Sequence, residues 1–367
     1  MPFLKSGAFV LATLALTVIG LFIIPTQSQQ VANTSTAAAP LEREVTFTSQ
    51  GWVKLAGTLT LPTHAAGVKV PGLILIAGSG PTDRNGNQGA LHTDLLQQIA
   101  AQLARNGIAT LRYDKRGIGG SKTDLKDVKW EDYAAWEGFV ADAITGLSYL
   151  QQQPEIDAAR TGFLGHSEGG LLALQAAQTI TTTHPPSPQM PRVLVLASTP
   201  GRPLDVVVRE QLSNILKRQH ATDEQAQFFL DKNDAIVQEI RQTGAVPKDV
   251  PPGLAALYPP YIGKFYRSLL QVDPPQLASQ FPGPVLILQG EKDIQVQAAK
   301  DAPALDAGLK RRTHDDHQLF VVTGASHNLK AVKDDAEPGF EGLVAPAALD
   351  TLTSWLQTKL AAKNGAQ

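Results

Sequence analysis

Short apolar runs alternate along this chain with segments of helical periodicity, and that alternation restricts the fold more than any other feature of the sequence. Residues 72–77 (GLILIA) form an uninterrupted apolar run of the length a strand buried on both faces requires. A helix follows, with Leu95, Ile99 and Leu103 on one side and an end near Asn106-Gly107, and residues 109–113 return as strand. The pattern continues with an amphipathic helix over about residues 131–152, a strand leading into Ser167 and a further helix. Apolar runs at 193–197, 285–288 and 318–322 and a last helix near 346–360 complete it. Repeated strand–helix units of this kind predict an α/β domain with a mostly parallel central sheet and helices on both faces. Residues 45–48 and 53–61 precede it as an antiparallel pair, the second closed by Pro62.

Between residues 199 and 283 the alternation stops. This segment is helical and interrupted by prolines, among them Pro251, Pro252, Pro259 and Pro260, and it reads as a helical cap inserted after a sheet strand. Such a cap can lie over the C-terminal edge of the strands, where open α/β sheets bind ligands. Its aromatic residues Tyr258, Tyr261, Phe265 and Tyr266 can line a substrate pocket or fill the core of the cap itself.

With 367 residues, 43% of them hydrophobic and 18% charged, the chain can bury a large core. A formal net charge of −2 with no long Lys/Arg run argues against a nucleic-acid partner. At the N-terminus, Lys5 precedes an apolar run over residues 8–24, which reads as an export signal within 1–25. The sequence leaves open whether it is cleaved or retained as an anchor, the one expected route to membrane attachment. Residues 26–40, rich in Gln, Ser, Thr and Ala, read as a tether to the domain at 41–362, which is expected outside the cytoplasm, periplasmic or secreted. The chain has no cysteine, so neither a thiol nucleophile nor a disulfide framework is available.

Residues 161–170 (TGFLGHSEGG) set Gly165, Ser167 and Gly169 in the G-x-S-x-G pattern of a nucleophile elbow, between a strand and a helix as the motif demands. A serine hydroxyl needs a base, usually a histidine oriented by a carboxylate, and on this kind of sheet the expected chain order is serine, acid, histidine. Two late strands supply them: LILQGEKDIQV carries Asp293, and LFVVTGASHNL carries His327. Glu291 is the competing acid. The other histidines are at 64, 92, 166, 184, 220, 314 and 317, and the spacing of His314 and His317 with Asp315 and Asp316 matches no familiar metal site. An oxyanion hole needs two backbone N–H donors, expected from Glu168 and from the glycine-rich loop 77–87, with Ser79 as first choice and Gly80 as the alternative. The loop has neither the Walker spacing nor the dinucleotide fingerprint, and no cofactor or metal is expected.

GHSEGG, IAGSGPTDRNGN, RYDKRGIGGS (residues 112–121) and LILQGEKDIQV together resemble the α/β-hydrolase superfamily, and within it bacterial EstD-type carboxylesterases of the serine-aminopeptidase-like branch. The likeness runs from about residue 45 to 360. It implies an α/β-hydrolase fold and acyl transfer to water from a small-molecule ester. It also implies a structural brace at Asp114, Arg116, Gly117, Gly119 and Ser121. The sequence departs from the common His-Gly oxyanion loop in having Ala77-Gly78. A serine at the elbow is unlike epoxide hydrolases and haloalkane dehalogenases, whose relatives place aspartate there. The alternatives are an aminopeptidase or amide hydrolase, an acyltransferase, and a binding protein without activity.

Overall fold

The computed structural model describes residues 40–125, 127–183, 190–333 and 337–362. The expected leader, nearly all of the tether and His184 lie outside the described residues. The strands are β1 (Leu41–Ser49), β2 (Val53–Leu61), β3 (Val70–Ile76), β4 (Ala109–Tyr113), β5 (Ile156–His166), β6 (Val193–Ala197), β7 (Val285–Gly290) and β8 (His317–Val322). They form one sheet in the order β1-β2-β4-β3-β5-β6-β7-β8. β1 and β2 pair antiparallel, as does β2 with β4, and every other pairing is parallel.

Period-two alternation explains why the central strands are apolar throughout. Ile74 and Ile76 of β3 face one core cluster and Leu73 and Leu75 the other; Phe163 and Leu164 of β5, and Ile287 and Leu288 of β7, divide the same way. One face is covered by α1 (Leu95–Arg105) and, from the far end of the chain, a helix over residues 346–359. The other is covered by a helix over 136–151, the helix that follows β5, and two later ones over 274–280 and 301–309.

The helix expected over 131–152 is two helices, α2 (Trp130–Tyr133) and α3 (Trp136–Gln151), with Ala135 extended at ψ 148°. The buried Arg116 guanidinium donates to the Tyr133 carbonyl at 2.7 Å, which a continuous helix would pair internally, and to the Gly138 carbonyl in the first turn of α3 at 2.7 Å. After β5 comes α4 (Glu168–Thr183), and the insertion between β6 and β7 holds α5 (Leu204–Arg218), α6 (Asp223–Thr243), α7 (Gly263–Leu269) and α8 (Pro274–Gln280). The insertion has its own core, built on Leu212, Leu216, Ile240, Leu254 and Tyr258. Its last helix does not belong to that core: α8 packs on α4 and on α9 (Asp301–Leu309) in the body, and α9 itself is a helix between β7 and β8 that the sequence pattern does not mark. The chain closes with α10 (Pro346–Lys359).

Three of the four insertion aromatics are structural. Tyr258 is buried and donates to Asn233 Oδ1 at 2.7 Å, Phe265 packs edge-on against Trp136, and Tyr266 lies against Tyr258. Tyr261 is exposed and meets Trp130 on the surface.

Candidate active site

Ser167 stands between the end of β5 and the start of α4 with φ 56°, a left-handed conformation that costs a non-glycine residue on the order of 1 kcal/mol. Its N–H donates to Ala197 O of β6 at 2.8 Å, which pins the turn to the neighbouring strand. The flanking glycines are there because nothing larger fits. A Cβ at Gly165 would stand 2.1 Å from Gly169 O, and one at Gly169 would stand 2.3 Å from Ile76 O. Both obstacles are backbone, so Gly169→Ala is expected to destabilise the protein by about 3 kcal/mol. Thermal unfolding checks this: a melting temperature within a degree of the parent would contradict the steric account.

β7 and β8 deliver the acid and the histidine side by side. Asp293 follows β7 and is buried; its Oδ1 accepts the N–H groups of Gln295 (2.8 Å) and Val296 (2.9 Å), a local turn that orients the carboxylate. Oδ2 accepts from His327 Nδ1 at 2.8 Å and from Gln289 Nε2 at 2.9 Å. With Nδ1 protonated toward the carboxylate, His327 Nε2 is left unprotonated, as a base must be. The competing acid Glu291 is exposed and accepts the Gly324 N–H at 2.8 Å instead. The two loops are pressed together: a Cβ at Gly290 would stand 2.1 Å from Ser326 O, and the Lys292 N–H donates to Ala325 O at 2.8 Å. Lys330 ties the histidine loop down from behind through Nζ to the carbonyls of Thr93 and Gly342, and burial pushes its ammonium down to about 8.

Two further residues support this pair, and sequence reasoning missed both. Gln289 is the lone polar side chain in the apolar run VLILQG; besides Asp293 it donates to Val296 O at 3.0 Å, so one amide holds both the carboxylate and the turn that follows it. His166, next to the nucleophile, places Nε2 2.9 Å from His327 O and its ring 4.7 Å from the His327 ring. Burial and the neighbouring His327 push His166 down to about 3, so it stays neutral and positive charge can develop on His327 alone.

The loop after β3 reaches the same place. Gly78 lies against Ser167, where a Cβ would meet the serine Cβ at 3.2 Å. Ser79 O accepts from Thr82 Oγ1 (2.9 Å) and Gln88 Nε2 (2.6 Å), which fixes the peptide on its C-terminal side, while its own N–H has no backbone partner among the described residues. Glu168 opens α4, where first-turn N–H groups lack helical acceptors, and its carboxylate turns to Lys115 Nζ at 2.8 Å. Ser79 lines the cavity at Ser167, and Gly80 does not.

Asp114 braces this loop. It accepts from Arg84 N (2.9 Å), Nε (3.0 Å) and Nη2 (2.8 Å) and from Gly120 N (2.8 Å), while Ser121 Oγ bridges from Ala56 N to Asp114 O. Arg116 forms its own buried pair with Asp142. Burial alone would raise the Asp114 carboxyl; the hydrogen bonds from Arg84 and Gly120 outweigh it and hold it below the ordinary carboxylate range. A depressed folded value means the stabilisation is complete above the unfolded value of about 3.9 and is lost as pH falls through the folded one. Asp114→Asn should therefore lower the melting temperature by several degrees at pH 7, with the gap to the parent closing in acid below pH about 4. A gap that stays constant down the acid limb would count against the ion pair.

Ser167, His166 and His327 share a cavity of about 360 Å³, and α5 of the insertion supplies part of its wall through Gln211, Asn214 and Ile215. The remaining histidines stand elsewhere: His314 Nε2 lies 2.7 Å from Pro282 O, His317 Nε2 lies 2.9 Å from Asp306, His64 is half-buried, and His92 and His220 are exposed.

The sheet order and the strained turn that carries Ser167 put the chain among the α/β hydrolases. Solved structures share that fold: Est1E of Butyrivibrio proteoclasticus, 16% identical, superposes over 87% of this chain and 99% of its own with a TM-score of 0.52. An esterase of Pyrococcus furiosus, 15% identical, does so over 91% and 97% with a TM-score of 0.53. More narrowly, the chain belongs to the serine aminopeptidase (S33) family, whose model matches residues 87–331. Among curated proteins it is 26% identical over 305 residues to esterase EstD of Thermotoga maritima, a match covering 82% of this chain. The chain thus spans 65% of that relative's length. An uncharacterized protein of Mycobacterium tuberculosis is 26% identical over 143 residues, 39% of this chain and 43% of its own.

Proposed function

We propose that this protein is a serine carboxylesterase that cleaves small to medium acyl esters through an acyl-enzyme on Ser167. The observation that carries the reading is the Asp293–His327 hydrogen bond of 2.8 Å beside an elbow serine in one cavity. In the mechanism, His327 Nε2 takes the Ser167 proton as Oγ attacks the ester carbonyl. The N–H groups of Ser79 and Glu168 receive the developing oxyanion, and Asp293 stabilises the imidazolium. The imidazolium gives its proton to the departing alcohol. A water deprotonated by the same nitrogen then releases the acid and restores the serine.

The family description favours a second reading, an aminopeptidase, because one triad cleaves both bonds. The two substrates differ in what must be recognised: a free amino terminus brings an ammonium that needs an acidic partner when buried. Among the described residues, the cavity at Ser167 is lined by no Asp or Glu, which supports the esterase. A panel of p-nitrophenyl alkanoates against aminoacyl p-nitroanilides tests the choice. Ester turnover well above that of the anilides is expected; the reverse order would replace the esterase with the aminopeptidase. The apolar run at residues 8–24 supports export, and alkaline phosphatase fused after residue 40 should be active if the segment directs translocation.

A further inference from the structure

The insertion meets the cavity at Ser167 through one face of α5. Gln211, Asn214, Ile215, Arg218 and Gln219 recur at the i, i+3, i+4, i+7, i+8 spacing of a single helical stripe, and all five line the cavity. The neighbouring stripe, with Leu212 and Leu216, fills the insertion's own core. Asp205, Arg209 and Glu210 of the same helix pair with Arg241, Asp234 and Arg202, none of which lines the cavity. What α5 offers the cavity is therefore mainly neutral amide. A further amide joins the stripe from the body: Gln211 Nε2 donates to Gln295 O at 2.8 Å, which fastens α5 to the turn after Asp293, and Gln295 lines the cavity beside it. Among the described residues, the side-chain amides of Asn214, Gln219 and Gln295 have no hydrogen-bond partner.

Resting on the esterase reading, we propose that the substrate is an O-acylated carbohydrate, its sugar ring held by the amides of Asn214, Gln219 and Gln295 and its acyl chain by the apolar wall opposite. The chemistry assigns the two sides. His327 gives its proton to the departing alcohol, so the alcohol lies on the side of the histidine, where Gln295 stands two residues after the acid that His327 bonds. The acyl group stays on Ser167, and Leu91, Leu95, Leu96 and Phe340 supply an apolar wall for it. That wall is a separate unit, tied together by Lys330 Nζ on the carbonyls of Thr93 and Gly342 and by Gln98 Nε2 on Gly342 O at 3.1 Å.

The character of the amide side selects among alcohols. An apolar alcohol would cover these amides without satisfying them, at a cost in binding. A charged one would find no counter-charge: no Asp or Glu lines the cavity among the described residues, and Arg218, its one Lys or Arg, interacts within the protein. A carboxamide sets N–H donors and a carbonyl acceptor side by side, and a hydroxyl both donates and accepts, so adjacent ring hydroxyls can meet both ends of one amide. From residue 211 to 219 the stripe runs about 12 Å along the helix, longer than a glycerol unit can span and long enough for a sugar.

The test uses full-length protein and three esters that share one acyl group: methyl 6-O-butyrylglucoside, cyclohexylmethyl butyrate, which keeps the ring and loses the hydroxyls, and 1-butyrylglycerol. Butyrate release should give the sugar ester a kcat/KM about tenfold above each of the others, through KM. In the Asn214→Leu/Gln295→Met double variant the ratio of sugar ester to cyclohexylmethyl ester should fall toward one; because it compares two substrates on the same protein, partial misfolding cannot produce the change. A cyclohexylmethyl or glycerol ester cleaved as well as the sugar ester, or a ratio that survives the double substitution, overturns the proposal and leaves the esterase standing. No turnover of these or of any p-nitrophenyl ester would instead remove the esterase reading itself, and this proposal with it.

Discussion

Ser167→Ala should reduce kcat on a chromogenic short-chain ester by about 10⁵-fold while leaving the protein folded. The size follows from the cooperative action of nucleophile and base: once the serine is gone, His327 has no proton to take and only binding and the oxyanion donors still act on the carbonyl. Folding should survive because the hydroxyl supports nothing in the turn. The bond that pins the elbow is the backbone N–H of residue 167 to Ala197 O, and the close packing belongs to Gly165 and Gly169. Alanine is as poorly suited to φ 56° as serine, so the strain remains and the melting temperature should move little. Labelling by a fluorophosphonate reports the same site independently and should vanish with the variant. Turnover within tenfold of the parent, in folded protein, would remove Ser167 from the chemistry and with it the proposed mechanism.

The parts of this site that could be read in the sequence are those fixed by local backbone geometry or by chain order. Gly165 and Gly169 mark the elbow because a Cβ at either would strike backbone only a few residues or one strand away. Asp293 and His327 could be placed because parallel strands put the residues that follow β7 and β8 at the same edge of the sheet as those that follow β5. Contacts across the sequence were not legible in the same way. The tie from Arg84 to Asp114 spans 30 positions and the contact from His166 to His327 O spans 161; each depends on packing that no local pattern encodes. The break between α2 and α3 is of this kind as well, since the Tyr133 carbonyl at its edge is taken by Arg116 from another loop. Gln289 did leave a signal: a polar residue ending an apolar parallel strand lies where buried polarity needs a partner, and here the partner is Asp293. The end of the cap was hidden for the opposite reason. Pro259-Pro260 ahead of α7 and Pro274-Pro275 at the start of α8 look alike in sequence, and only the packing of α8 on α4 and α9 assigns it to the body.

Asp293→Asn carries the second large effect, a fall in kcat of about 10⁴-fold at neutral pH with the fold retained. Asparagine can keep its Oδ1 on the N–H groups of Gln295 and Val296, so the turn after β7 need not change. The cost arises at the other atom. Oδ2 accepts from both His327 Nδ1 and Gln289 Nε2, and an amide nitrogen in its place would point a donor at two donors. Gln289 can adapt by rotating its amide, because its Oε1 has no partner among the described residues, although it then gives up Val296 O. His327 can adapt only by moving its proton from Nδ1 to Nε2, and an imidazole protonated at Nε2 cannot accept the serine proton. The substitution therefore selects the unproductive tautomer without disturbing the packing. A loss of less than tenfold would mean that His327 is oriented by its loop alone, through Ser326, Leu329 and Lys330, and that the carboxylate is dispensable.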